Sequence, residues 1–166
     1  MLNAVLIFGF VIGSIVSFFD CGIENGWNSF VVFKTTRAEV ENVLKNPDDN
    51  NGKVTYETES GLVHVEYSAE PCSADSWGRG KFNVPKNVVL WYQVVLTKDL
   101  ELGKLSWKPE LYERVPDPHM KDMFGYFNKR DGIVVFTKMR DQVETVVSIT
   151  YERSKPLSEK FKCDKL

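Results

Sequence analysis

The chain has 166 residues, with 21 Lys and Arg against 23 Asp and Glu and a formal net charge of −2. Both signs are interspersed and no basic stripe occurs, which argues against nucleic acid as a partner. Beyond residue 22 there remain 144 residues carrying 21 basic and 22 acidic side chains, one ordinary domain able to bury a sizeable core.

Residues 1–19 are uncharged, and twelve of them are Leu, Ile, Val or Phe. A helix of that length reaches roughly 28 Å, close to the hydrocarbon thickness of a bilayer. Twelve such residues favour insertion by roughly 5 kcal/mol. Residues 1–22 therefore read as a signal peptide or a retained membrane anchor, with the membrane engaged through residues 1–19. The n-region, Met1-Leu2-Asn3, lacks a basic residue, and the nearest small-residue cut, after Ser17, has bulky Ile15 at its −3 position. Lipid attachment at Cys21, behind Phe18-Phe19-Asp20, a buried helix of a soluble domain and a start codon placed too far downstream are the alternatives. Three cysteines suit an oxidising compartment. With Cys21 removed or lipidated, Cys72 and Cys163 form the disulfide pair; the other reading has them as unpaired small hydrophobes.

The exported domain spans residues 23–153. Trp27 to Phe33 is aromatic and β-branched and predicts a short strand or extended lead-in. Thr36-Arg37-Ala38-Glu39 is a capping box, which predicts a short helix over 37–45 ended by Asn46-Pro47. Asp48-Asp49-Asn50-Asn51-Gly52 reads as a turn, followed by strands over 53–58 and 62–68 around Glu59-Ser60-Gly61. Residues 87–97 are apolar on both faces, the mark of a central strand.

In the second half, residues 100–113 form a Leu- and Trp-bearing segment in which Pro109 suits a first helical turn. Strands over 124–128, 133–139 and 143–152 complete a meander. Tyr56 with Gly61-Leu62-Val63 corresponds to Tyr126 with Gly132-Ile133-Val134. The expected fold is α+β: a short helix packed on antiparallel sheet, in two related helix-plus-three-strand modules over 27–97 and 100–152, preceded by an apolar export helix. Residues 154–166 read as a polar tail.

The phrase from Val32 to Leu44, then Val63-His64-Val65-Glu66-Tyr67-Ser68, Pro71-Cys72 and Asn83-Val84-Pro85, resembles a group of uncharacterised exported bacterial proteins. Tyr126-Phe127-Asn128, Asp131-Gly132-Ile133 and Val147-Ser148-Ile149-Thr150-Tyr151 fit it too. The resemblance covers most of residues 27–152 and implies no activity. The helix before a hairpin is also similar to the modules of the small lipoprotein of the outer-membrane β-barrel assembly machinery and of β-lactamase inhibitor protein. Those usually carry Gly before the Thr and Gly-x-Pro after the helix, where this chain has Lys34-Thr35 and Lys45-Asn46-Pro47. That likeness bears on fold alone.

Catalytic raw material is thin. His64 lies mid-strand beside Glu66 on the wetter face, and His119 sits in Asp117-Pro118-His119-Met120-Lys121-Asp122. Either histidine with nearby carboxylates would serve a hydrolase or metal-dependent enzyme; a surface histidine and a solvated turn are the plainer readings. No metal site or cofactor is expected, and no Cys-x-x-Cys, nucleophile elbow or phosphate loop occurs.

The connection over residues 69–86 stands out because it is longer than the links that merely join strands. It holds Trp77, Arg79 and Phe82, residue types enriched where interfaces concentrate their energy. The favoured function is a non-enzymatic, envelope-exposed domain that binds an envelope protein or peptide through these three residues. The alternative is that the loop's Trp and Phe cover the domain's own core.

Overall fold

Two four-stranded meanders join along one seam. The computed structural model describes residues 23, 26–50, 53–74, 76 and 80–163. Its strands are β1 (Asp48–Asn50), β2 (Lys53–Thr58), β3 (Gly61–Tyr67), β4 (Val89–Glu101), β5 (Glu113–Pro116), β6 (Met123–Asn128), β7 (Ile133–Arg140) and β8 (Val143–Tyr151). They form a single antiparallel sheet in the order β1-β2-β3-β4-β8-β7-β6-β5, so β4 and β8 make the seam. The helices described are α1 (Arg37–Val43) and α2 (Lys155–Phe161), each seven residues long.

This overturns the α+β expectation of two helix-plus-three-strand modules. One eight-stranded sheet dominates, and each half contributes four strands rather than three. The second half has no leading α-helix: Pro109 starts only a single 3-10 turn, Pro109–Leu111, and α2 comes after the last strand. The strand expected near Trp27 is likewise a 3-10 turn, Trp27–Ser29, because Asn28, Ser29 and Phe33 adopt left-handed backbone that breaks extended pairing.

Local chemistry explains what forms where. In the capping box the Thr36 hydroxyl accepts from the Glu39 N–H at 3.3 Å, and the Thr36 N–H donates to Glu39 Oε2 at 2.7 Å. The Thr36 N–H and the Thr36 hydroxyl, both donating to that carboxylate, hold it below its usual range. The last turn is covered by the Lys45 ammonium, which donates to the carbonyls of Glu41 and Asn42. Left-handed Asn46 (φ 55°) then turns the chain into β1. Arg37 binds Glu41 and Asp49 and lies over the Tyr67 ring, tying the helix to β1 and β3.

The core lies on one face of the sheet. Two registered rows cross the seam there: Val65, Tyr92, Tyr151 and Ile133, and beside them Val63, Val94, Ile149 and Val135. Trp27, Phe30, Val40 and Leu44 from the N-terminal turn and α1 are buried with them. The opposite face is mixed, with Thr55, His64, Gln93, Thr150, Val134 and Phe127 in one row.

Residues 155–163 are not a free polar tail. The Ser154 hydroxyl accepts from the Leu157 N–H, Pro156 occupies the first turn of α2, and the Phe161 ring packs edge-on against Phe33 at 5.5 Å. Cys163 then bonds to Cys72, with Cα atoms 5.8 Å apart. The cross-link spans 91 residues, worth about 4 to 5 kcal/mol in the loop-closure picture. Ending the chain at Ser154 removes both the ring contact and the cross-link. We expect the thermal midpoint to fall by more than about 10 °C, measured by circular dichroism; an unchanged midpoint would return these residues to the status of a tail.

Candidate functional site

The long connection is a tethered hairpin. At its base the Cys72 N–H donates to the Phe82 carbonyl at 2.9 Å, and Ala74 and Lys81 form an antiparallel bridge. The returning limb also pairs with the C-terminal segment: Phe82 bridges Lys162, the Asn83 N–H donates to Phe161 O at 2.7 Å, and the Cys163 N–H donates to Lys81 O at 3.0 Å. The disulfide closes the same corner covalently. The base of the connection is held by hydrogen bonds, a cross-link and a buried ring.

Within the connection, Ser76 is pinned by Glu66. Its carboxylate accepts from the Ser76 N–H at 2.7 Å, from the Ser76 hydroxyl at 2.5 Å and from the indole N–H of Trp91. Glu66 is only 6 % exposed, and Trp91 beside it in the register is fully buried. A carboxylate so enclosed is stable only when its oxygens are hydrogen-bonded, and three donors meet that need. Lys53, which pairs with Glu66 across the strands, lies over the Trp91 ring at 5.5 Å. Strand alternation puts Glu66 on the side away from the core, which reads as the wetter face in sequence. The available signal was Trp91, whose indole N–H needs an acceptor and which falls on the same face of β4.

Of the three expected anchors, Trp77 and Arg79 lie outside the described residues. Phe82 belongs to the core. It is 4 % exposed, its ring meets Phe33 at 5.0 Å, and the Arg153 guanidinium covers it at 4.6 Å. It cannot be an interface anchor while the loop holds this shape. The physical reason is position: Phe82 stands at the hairpin base, where the chain re-enters the domain.

The two histidines lie in separate regions. His64 is half-buried on β3 with Nδ1 2.9 Å from the Thr55 hydroxyl, and burial, helped by the charge of Lys53, lowers its pKa. His119 is exposed in the β5–β6 link, where Asp117 accepts from the backbone N–H groups of His119 and Met120 at 2.8 and 2.9 Å. That carboxylate shapes a turn. No cluster of three or more metal-ligating side chains occurs among the described residues.

Both sheet edges are blunted. β1 reads Asp48-Asp49-Asn50 and is exposed throughout, and β5 is exposed and ends at Pro116. Short, charged or proline-bearing edges discourage strand addition. No family model, curated protein or solved structure matches the chain.

Replacing Glu66 with Ala leaves the Trp91 indole N–H buried without its acceptor and frees Ser76. We expect a loss of about 2 to 4 kcal/mol in denaturant unfolding and faster proteolytic cleavage within residues 74–81. Equal cleavage rates would show that the Ser76–Glu66 bonds do not protect this segment. His64 sets a pH slope. Its folded pKa lies below the unfolded value near 6.5, so the unfolded chain binds the proton more readily and stability falls as pH drops below about 6.5. His64→Gln should flatten that slope in melts taken between pH 5 and 7; an identical slope would place the titration elsewhere.

Proposed function

We propose that the chain is a non-enzymatic domain, exported and held at the cell envelope through residues 1–19, that binds an envelope protein or peptide with the tip of its tethered hairpin. Trp77 and Arg79 are the anchors. The observation that carries this reading is the construction of the loop: the base is fixed by Phe82, two backbone bridges and the Cys72–Cys163 disulfide, and Ser76 by Glu66. A loop whose base and Ser76 are already fixed has less entropy to lose on binding than a free one, which is how a small contact reaches useful affinity. Trp supplies large apolar area and Arg a forked cation, the pair of types that dominate binding hot spots. Blunted edges leave recognition to loops and faces, in keeping with this choice. Export is supported by the disulfide, which persists in oxidising compartments and is rare in the cytosol.

The test is photo-crosslinking in intact cells from a site beside the tip, comparing the wild-type chain with Trp77→Ala/Arg79→Ala. We expect the double variant to melt within a few degrees of wild type and to lose its crosslinked envelope partner at least tenfold, the effect of removing an anchor worth more than about 1.4 kcal/mol. Full crosslinking by the folded double variant would overturn the reading. Cooperative collapse of the double variant would assign the tip to core cover instead.

A further inference from the structure

The chain enters the domain at a fixed point. Ile23 is 2 % exposed, its N–H donates to Ser106 O at 3.1 Å, and its carbonyl accepts from the Gly26 N–H at 3.2 Å. Trp27, a turn further on, is held by the Tyr92 hydroxyl. In the sequence the apolar run ends at Phe19, and only Asp20, Cys21 and Gly22 separate it from Ile23. That stretch spans at most about 14 Å when fully extended. The headgroup layer on one side of a bilayer is about 6 Å deep, so with the apolar run ending at the hydrocarbon edge Ile23 lies no more than about 8 Å above the headgroups.

Ser106 shares that constraint, and it belongs to a strip on the core side of the sheet. The strip runs from the 3-10 turn Leu102–Lys104 through the turn Pro109–Leu111 to Tyr112. Leu105 is buried in the core, and the Trp107 ring stands edge-on to Tyr126 at 5.2 Å, where Tyr126 pairs with Val135 on the core face. Ser106 itself is exposed, as are Lys104, Lys108, Glu110 and the apolar Leu111, which is 40 % open. Lysine heads meet lipid phosphates, while a single apolar side chain can sink between the headgroups. The other face of the sheet carries Glu66, and Ser76 is bonded to it there.

We propose that the strip over residues 102–112 rests on the phospholipid headgroups of the membrane that holds residues 1–19, so that the sheet face carrying Glu66 and Ser76 points away from the bilayer. This rests on the anchoring reading above and adds to it the face turned to the lipid. A partner of the long connection accordingly approaches from the side opposite the membrane.

The probe is a bimane label at Leu111→Cys or at Lys138→Cys, the latter exposed on the far face, each on a Cys21→Ser background; the Cys72–Cys163 disulfide takes no label. Glu110→Cys, in the same exposed turn, is the second reporter on the strip. The full chain is reconstituted in vesicles of phosphatidylethanolamine and phosphatidylglycerol that carry a nitroxide on some headgroups. Quenching should be about twice as strong at residues 110 and 111 as at 138, because the core layer and the sheet set the last label about 10 Å or more farther from the lipid. A chain that does not float with the vesicles overturns the anchor and this orientation with it. A chain that floats but is quenched equally at all three positions, or more at 138, overturns the orientation alone.

Discussion

The structure turns on Tyr92. It sits on β4 at the seam, and its ring stacks on Tyr151 of β8 at 4.6 Å, the point where one meander meets the other. Its hydroxyl reaches past the sheet to clamp the N-terminal turn, accepting from Trp27 and donating to Phe30. Burial pushes the phenol far above its ordinary pKa, so it stays a neutral group able to do both. One side chain thereby fixes the seam, the docking of residues 26–30 and the position of Trp27. Gly26 belongs to the same clamp: it has φ 79°, and a Cβ there would meet the Phe30 carbonyl oxygen at 2.8 Å.

How much of this was legible depends on how each element is stabilised. α1 announced itself through its capping box, since both partners of that motif lie within four residues. β2, β6, β7 and β8 follow from alternation and turn residues, and β4 from apolar character on both faces; the observed bounds differ from the expected ones by a residue or two at most ends. β1 and β5 were missed because their sequences are poor strand formers. Asp48-Asp49-Asn50 reads as a turn, and Val115-Pro116 reads as an interruption. Both are edge strands, which need only one partner and which selection keeps unattractive. Missing them cost the fold class, because eight strands in one sheet became six in two modules.

The C-terminal error has a different cause. Ser154-Lys155-Pro156 is a helix start, and Leu157 and Phe161 are four apart on one face, so the signal was present. It was outweighed by the Lys and Ser around it. The disulfide was open in sequence because pairing needs two backbones brought within about 6 Å, and the approach of residues 72 and 163 depends on Phe82 and Phe161 both packing against Phe33. Phe82 was misplaced for the same reason. An aromatic in a long loop looks displayed until the loop's own base is known.

The polar groups divide according to whether the fold has already used them. Glu66 has three donors. Glu144 accepts from Thr137 at 2.5 Å and from Tyr126 at 3.0 Å, with Arg114 3.6 Å away, and the Tyr126 phenol is raised by burial and by that carboxylate. The Ser68 hydroxyl donates to Pro85 O and accepts from the Val88 N–H, closing the neck of the long connection. Such groups cannot readily turn to a ligand, because each bond surrendered leaves a buried atom unpaired. Tyr92 likewise fixes the backbone of Trp27, whose ring packs in the core. The buried carboxylates of this domain are thus committed to its fold.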